Sequence, residues 1–144
     1  MKGHYHVLVV EDDTFIRKIL RHSLEKDFTV TTLGNGIEAM TWLEEGHTAD
    51  IMITDLQMPF LNGQELIQTI RSSSLFGHLP IIVVSNHDDS TMRITCLEIG
   101  ADDYIVKPFN PLEVRAKIMA VMRRSEQRNS GASSLTTAVD DPVI

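Results

Sequence analysis

The sequence predicts an α/β fold in which five parallel strands alternate with five helices. Two features of its pattern indicate this fold: short apolar runs rich in β-branched residues, and apolar residues at helical spacing after each run. The strand and helix pair then recurs five times along the 144 residues. Parallel strands need crossover connections, and right-handed crossovers dominate. We therefore expect a parallel sheet that is covered by helices on both faces.

The first two pairs occupy the N-terminal third of the chain. Residues 7–10 read VLVV, and acidic residues follow them at once. The helix after this run has four apolar residues at helical spacing, namely Ile16, Ile19, Leu20 and Leu24. The second strand is expected at residues 28–30, before a helix from about Gly36 to Glu45.

The other three pairs follow at similar spacing. Strands are expected at residues 51–54, 81–84 and 104–106. The helices after the first two run from about Gln64 to Ser72 and from about Ser90 to Ile99. The apolar positions of the last helix are Leu112, Ile118, Val121 and Met122. The first, third and fourth strands are the most apolar, which predicts that they are central in the sheet.

Composition predicts one folded domain at residues 1–124 and a flexible tail or linker at residues 125–144. Hydrophobic residues make up 42% of the chain, enough for a core. The segment after Arg124 is rich in Ser, Thr, Gly and Asp and has little aliphatic periodicity. No apolar run approaches the ~20 residues of a membrane span, so no membrane association is expected.

Charge and cysteine usage bear on the partners and the compartment. The formal charge of −7 gives no general attraction to phosphates, so direct binding of nucleic acid by this segment is disfavoured. The single cysteine, Cys96, cannot form an internal disulfide. A cytoplasmic location is expected, since the N-terminus also has no apolar stretch of signal-peptide length.

Polar residues follow the strands at the edge of the sheet where open α/β proteins bind their ligands. Glu11 and Asp12 come after the first strand, and Asp55 ends the third. Ser85 and Lys107 follow the fourth and fifth strands. Clustered carboxylates repel one another unless a cation compensates them, and oxygen ligands suit Mg²⁺ or Mn²⁺. The acids therefore predict a metal, and the lysine predicts an anion beside it.

An aspartate in such a cluster can accept a phosphoryl group when a divalent ion and a cationic side chain neutralise the incoming charge. Asp55 is the candidate nucleophile. We expect Asp12 to bind the metal directly and Glu11 to bind it through water. Lys107 would pair with carboxylate and phosphoryl oxygens, and Ser85 would donate its hydroxyl to the phosphoryl group. The neighbouring Asp13 is expected to cap the first helix.

Four segments, VLVVEDD, DLQMPFLNG, IIVVSN and GADDYIVKPF, resemble in order and spacing the response-regulator receiver domains of two-component signalling. The resemblance covers roughly residues 5–124. It implies a doubly wound, flavodoxin-like fold with strand order 2-1-3-4-5. It also implies a Mg²⁺ site completed by the backbone carbonyl of Gln57. The phosphoryl group would come from a phosphohistidine of a sensor histidine kinase or phosphotransfer protein and pass to Asp55.

The resemblance further implies a switch. Tyr104 would change rotamer when Ser85 moves toward the phosphoryl group. The face made by the fourth helix, fifth strand and fifth helix would then bind a partner or a second copy. Gln57 and His87 occupy the positions whose side chains set the rate of phosphoryl hydrolysis in the family. Asn86 stands where receivers commonly have a small Ala or Gly, so it would narrow the entry for the phosphodonor and for water. The domain would catalyse only its own phosphorylation and dephosphorylation, as a signalling switch and not an enzyme.

Two other functions compete with this one. Haloacid-dehalogenase-like phosphatases place a second acid two residues after the nucleophile, but Gln57 stands there and cannot transfer a proton. The chain could also be a receiver cut from a longer regulator whose output domain is an enzyme or a DNA binder. The last helix, followed by a polar segment, would suit such a junction.

Overall fold

The computed structural model describes the backbone of residues 4–139 and the side chains of residues 4–128. Strands and helices alternate along this part of the chain. The strands are β1 (His6–Val10), β2 (Thr29–Leu33), β3 (Ile51–Thr54), β4 (Ile81–Ser85) and β5 (Asp103–Val106). The helices are α1 (Thr14–Leu24), α2 (Gly36–Glu44), α3 (Gly63–Arg71), α4 (Ser90–Glu98) and α5 (Pro111–Val139).

The sheet has the order β2-β1-β3-β4-β5, and all of its strand pairs are parallel. This confirms the predicted fold class and strand order. β1, β3 and β4 are the internal strands, as their continuous apolar sequences predict. In the register of β1 and β3, Val10 lies opposite Thr54, so the residues that follow these two strands emerge side by side.

Two hydrophobic layers cover the sheet because successive strand residues point to opposite faces. Leu8 and Met52 pack on one side against the apolar residues of α2 and α3. Val7 and Ile51 pack on the other side with residues from α1 and α5. Cys96 of α4 is buried in the first layer, as expected for a small hydrophobe.

Three helices that follow loops with predicted site residues, α1, α3 and α4, are capped at their N-termini by side chains. The Asp13 carboxylate accepts a hydrogen bond of 3.0 Å from the backbone N–H of Ile16, which confirms the predicted cap of α1. Asn62 caps α3 in a reciprocal capping box with Glu65, and Asp89 caps α4. Because each cap satisfies backbone donors that would otherwise be unpaired, it fixes where the preceding loop ends.

The last helix extends further than the sequence predicts. α5 continues to Val139, although a tail was expected from residue 125. Pro111 provides the preset φ of a helix start, and the next proline is Pro142, so no ring interrupts the helix between them. The Tyr5 hydroxyl also donates a hydrogen bond to the Glu126 carboxylate. A residue after Arg124 therefore contacts the folded domain. Residues 140–144 lie outside the described residues, and the division into a domain and a linker stays a prediction.

Within the described residues, no helix is both long enough and apolar enough to cross a membrane.

Candidate functional site

Three acidic residues converge at the carboxyl ends of β1 and β3. Glu11, Asp12 and Asp55 each offer an oxygen atom, and these oxygens lie within 4.8 Å of one another. The parallel register of β1 and β3 brings Glu11 and Asp55 together, since each residue directly follows its strand. Glu11 is 2% exposed and Asp55 7% exposed, whereas Asp12 is exposed to solvent. One open side of the cluster therefore faces water.

Lys107 reaches this acidic cluster from the end of β5. Its Nζ lies 2.9 Å from Glu11 Oε1 and 3.1 Å from Asp55 Oδ2. Only 7% of the lysine side chain is exposed. A buried ammonium needs paired charges of opposite sign, and these two carboxylates provide them. The sequence prediction that Lys107 points into the acidic cluster is confirmed.

The electrostatics of the cluster favour a further positive charge. Burial raises the pKa of Glu11 to about 7, and the hydrogen bond from Lys107 opposes this rise only in part. The negative charge of Asp55 raises the same pKa further. Burial alone would lower the pKa of Lys107, but its hydrogen bond to Glu11 and the charge of Asp55 outweigh burial and raise it. One ammonium cannot neutralise three carboxylates, so a cation on the open side would relieve the remaining repulsion.

The loop after β3 holds the Asp55 carboxylate in place. Asp55 Oδ1 accepts a hydrogen bond of 2.7 Å from the backbone N–H of Leu56. The backbone N–H of Gly63 returns to the Leu56 carbonyl at 2.9 Å. A Cβ atom on Gly63 would lie 2.3 Å from the Asp55 carbonyl oxygen, so only glycine permits this close return. Gly63 therefore serves the geometry of this loop.

Ser85 and Tyr104 meet at the backbone of His87. Ser85 is 1% exposed, and its Oγ accepts a hydrogen bond of 3.1 Å from the His87 N–H. The Tyr104 hydroxyl donates to the His87 carbonyl oxygen at 2.8 Å. Arg93 of α4 lies over the Tyr104 ring, with its guanidinium carbon 5.6 Å from the ring centroid. The two residues expected to form the switch thus share contacts with one loop residue. Burial raises the pKa of Tyr104, and a side-chain hydrogen bond with Ser85 opposes that rise, so the two side chains also interact directly.

The three residues expected to tune hydrolysis lie at the mouth of the site. Gln57 Nε2 is 2.9 Å from His87 Nε2, so side chains from the loops after β3 and β4 touch. Asn86, which lies between Ser85 and His87 in the sequence, is exposed. The structure therefore brings all of the predicted site residues to one edge of the sheet.

Two contributors to this edge have no signal in the sequence. The Arg17 guanidinium donates a hydrogen bond of 2.9 Å to the Glu11 carbonyl oxygen and so ties α1 to the acidic loop. Phe60 has a φ of +71° and is 85% exposed. The Leu61 N–H donates a hydrogen bond of 2.8 Å to the Pro59 carbonyl oxygen. Phe60 is therefore the central residue of a γ-turn, a position that bulky residues rarely occupy.

Comparison with known proteins gives consistent matches. A family model described as the response regulator receiver domain matches residues 7–119. The chain is 42% identical over 133 residues to a probable transcriptional regulator ycf27 of Guillardia theta, which covers 92% of the chain and 50% of that protein. It is 40% identical over 130 residues to a protein of the same name from Cyanidium caldarium, covering 90% of the chain and 51% of that protein. The chain thus spans about half the length of these curated relatives.

A solved structure agrees in its fold. The receiver domain of the Francisella response regulator 1452 superposes with a TM-score of 0.78 at 28% sequence identity. The match covers 85% of this chain and 99% of the Francisella domain.

Proposed function

The chain belongs to the response regulator receiver domain family, and on that premise we propose that Asp55 accepts a phosphoryl group in a Mg²⁺-dependent reaction. The donor is a phosphohistidine of a sensor histidine kinase or a phosphotransfer protein. The central support is the buried Lys107, whose ammonium binds both Asp55 and Glu11 at 3.1 Å and 2.9 Å. A carboxylate held beside a fixed cation is suited to receive an anionic group once a divalent cation neutralises the two negative charges that Lys107 leaves uncompensated.

Side chains of this chain carry out the transfer. A carboxylate oxygen of Asp55 attacks the phosphorus atom, an oxygen–phosphorus bond forms, and the phosphorus–nitrogen bond of the donor breaks. The donor imidazole leaves with the electron pair of that bond, and Asp55 becomes an acyl phosphate. Lys107 stabilises the charge of the phosphoryl oxygens, and the Ser85 hydroxyl donates a hydrogen bond to one of them.

The acidic cluster fits a hard divalent cation. Asp12, Asp55 and the backbone carbonyl of Gln57 would hold Mg²⁺, and Glu11 would contact it through water. Mn²⁺ suits the same oxygen ligands. When bound, such an ion neutralises charge on the phosphoryl group during transfer. The three carboxylate oxygens within 4.8 Å of one another support this assignment.

The domain does not catalyse reactions of outside substrates. A phosphatase would need a proton-transfer group close to the acyl phosphate. Gln57 stands in that position in the sequence, and its amide is hydrogen-bonded to His87. The domain therefore acts as a signalling switch that catalyses only its own phosphorylation and dephosphorylation.

The residues at the mouth set the rates of these two reactions. We expect Asn86→Ala to accept acetyl phosphate faster, since Asn86 narrows the entry. We expect His87→Ala and Gln57→Ala to change the dephosphorylation rate several-fold, because both polar side chains can orient the attacking water. Single-turnover loss of the phosphoryl group, followed in the wild type and each variant, measures this. Unchanged acetyl phosphate uptake in Asn86→Ala would exclude a steric role of Asn86. Dephosphorylation at the wild-type rate in both His87→Ala and Gln57→Ala would exclude a role of these side chains in hydrolysis.

The face formed by α4, β5 and α5 is the proposed output surface. It presents Ile94 at 53% and Leu97 at 43% exposure, next to Arg93 over the Tyr104 ring. Lys117 of α5 lies 3.2 Å from Asp103 of β5 across the same face. Because Tyr104 connects this face to the loop of Ser85 and His87, phosphoryl contacts at Ser85 would favour one of two conformers and change the surface.

Beryllofluoride, which replaces the phosphoryl group, tests this surface. We expect it to shift amide resonances of α4, β5 and α5 and to favour binding of a partner or a second copy. Sedimentation before and after its addition reports homodimer formation. Ile94→Ser should weaken the association, while Phe15→Ser, which changes an exposed residue of α1, serves as the matched control. Shifts confined to the loops around the metal ligands would contradict the proposal.

The curated relatives are named probable transcriptional regulator ycf27, and the chain spans about half of their length. We propose that the net charge of −7 keeps this segment from binding nucleic acid directly, and retention of duplex DNA by this chain in a gel would contradict that. A cytoplasmic location is proposed from the single cysteine, which is a buried thiol.

A further inference from the structure

His87 is the one loop residue on which the contacts of Ser85, Tyr104 and Gln57 meet among the described residues. Its N–H binds Ser85 Oγ at 3.1 Å, and its carbonyl accepts from Tyr104 at 2.8 Å. Its ring contacts Gln57 at 2.9 Å. The position of the Tyr104 hydroxyl therefore depends on where the His87 backbone lies.

The chemistry of the contact between Gln57 and His87 fixes its direction. An amide nitrogen can only donate, so Gln57 Nε2–H donates to His87 Nε2. The other ring nitrogen of His87, Nδ1, faces a carboxylate oxygen of Asp89 at 3.9 Å. The ring thus lies between the loop after β3 and the residue that caps α4. We call the hydrogen bond between the Gln57 and His87 side chains the Gln57–His87 bridge.

The bridge spans a cavity of about 430 Å³ next to the acidic cluster. Asp12, Leu56, Gln64 and Met92 also line this cavity. Gln64 of α3 donates a hydrogen bond of 3.6 Å from its Nε2 to Met92 Sδ of α4. A cavity of this size leaves room for the His87 ring to move when the bridge is broken. Nothing else within the described side chains hydrogen-bonds this ring.

We propose that the Gln57–His87 bridge positions the loop between β4 and α4 so that the Tyr104 hydroxyl reaches the His87 carbonyl before any phosphoryl group is bound. In this role Gln57 and His87 are positioning residues for Tyr104, separately from their effect on the hydrolysis rate. A neutral hydrogen bond contributes about 1 kcal/mol, which corresponds to a population change of about fivefold. The proposal depends on the proposed function only for its consequence in signalling.

Fluorine NMR of the unphosphorylated protein tests the bridge directly. The chain contains two tyrosines, so 3-fluorotyrosine gives two resonances, and Tyr5→Phe assigns them. At about pH 8, where an ordinary histidine is neutral, we expect Gln57→Ala and His87→Ala to move the Tyr104 resonance by similar amounts toward the solvent-exposed position. The double variant should move it no further, because both changes remove the same contact.

Two controls separate this role from a general loosening of the loop. His87→Gln retains an acceptor opposite Gln57 and should restore part of the wild-type resonance position. Gln64→Ala, which changes another residue that lines the cavity, should leave it unchanged, and melting temperatures establish that each variant is folded. An unmoved Tyr104 resonance in both single variants, or additive shifts in the double variant, would overturn the proposal. Since no phosphoryl group is present, failure of Asp55 as the acceptor would not affect this outcome.

Discussion

An Asp12→Ala variant is expected to lose at least about 100-fold of its Mg²⁺-dependent phosphorylation, because the cation would lose a directly coordinating carboxylate. Asp12 is the exposed member of the acidic cluster, so the open side of the cluster is where a cation can enter. The other two carboxylates are already bound to Lys107. Without Asp12 they would have less negative charge to offer to a divalent ion.

Uptake of phosphoryl from acetyl phosphate over a Mg²⁺ titration measures this loss. The variant should remain folded, since removing Asp12 reduces repulsion among like charges in the cluster. Asp27→Ala is the matched control, because Asp27 lies outside the cluster and pairs with Arg115 at 2.8 Å. Wild-type dependence on Mg²⁺ in Asp12→Ala would show that the metal is held elsewhere.

The element order could be predicted from the sequence because it depends on local patterns. Each apolar run and each helical spacing can be identified within about 15 residues. The end of α5 could not be identified in this way. Ser, Thr and Gly after Arg124 are typical of a linker, whereas the helix continues to Val139. Its contact from Tyr5 to Glu126 joins residues 121 positions apart, which no local pattern can indicate.

The composition of the site was predictable for a geometric reason. Parallel strands end at one edge, so polar residues placed after successive strands must come together there. Glu11, Asp55 and Lys107 are close for this reason alone. The connection of Ser85 to Tyr104 through the His87 backbone depends on the path of an irregular loop. Sequence spacing does not fix that path, so this part of the site could not be predicted from the sequence.

Asp55→Asn is expected to abolish stable phosphorylation, the largest effect of any single change. The amide has nearly the same shape as the carboxylate, but its oxygen is a poor nucleophile. Lys107 would keep its 2.9 Å contact with Glu11, so we expect the fold to persist. Loss of uptake could then be assigned to the missing carboxylate and not to unfolding.

The most direct test is to map the phosphoryl group on the intact protein. The wild type is incubated with acetyl phosphate or phosphoramidate and Mg²⁺, its intact mass is measured, and the modified residue is located in peptides. We predict the addition of one phosphoryl group, stable to acid and labile to base, on Asp55, and none in Asp55→Asn. An equally acid-stable, base-labile phosphoryl group on Asp55→Asn, or its location on another residue of the wild type, would contradict the assignment of Asp55 as the phosphoacceptor.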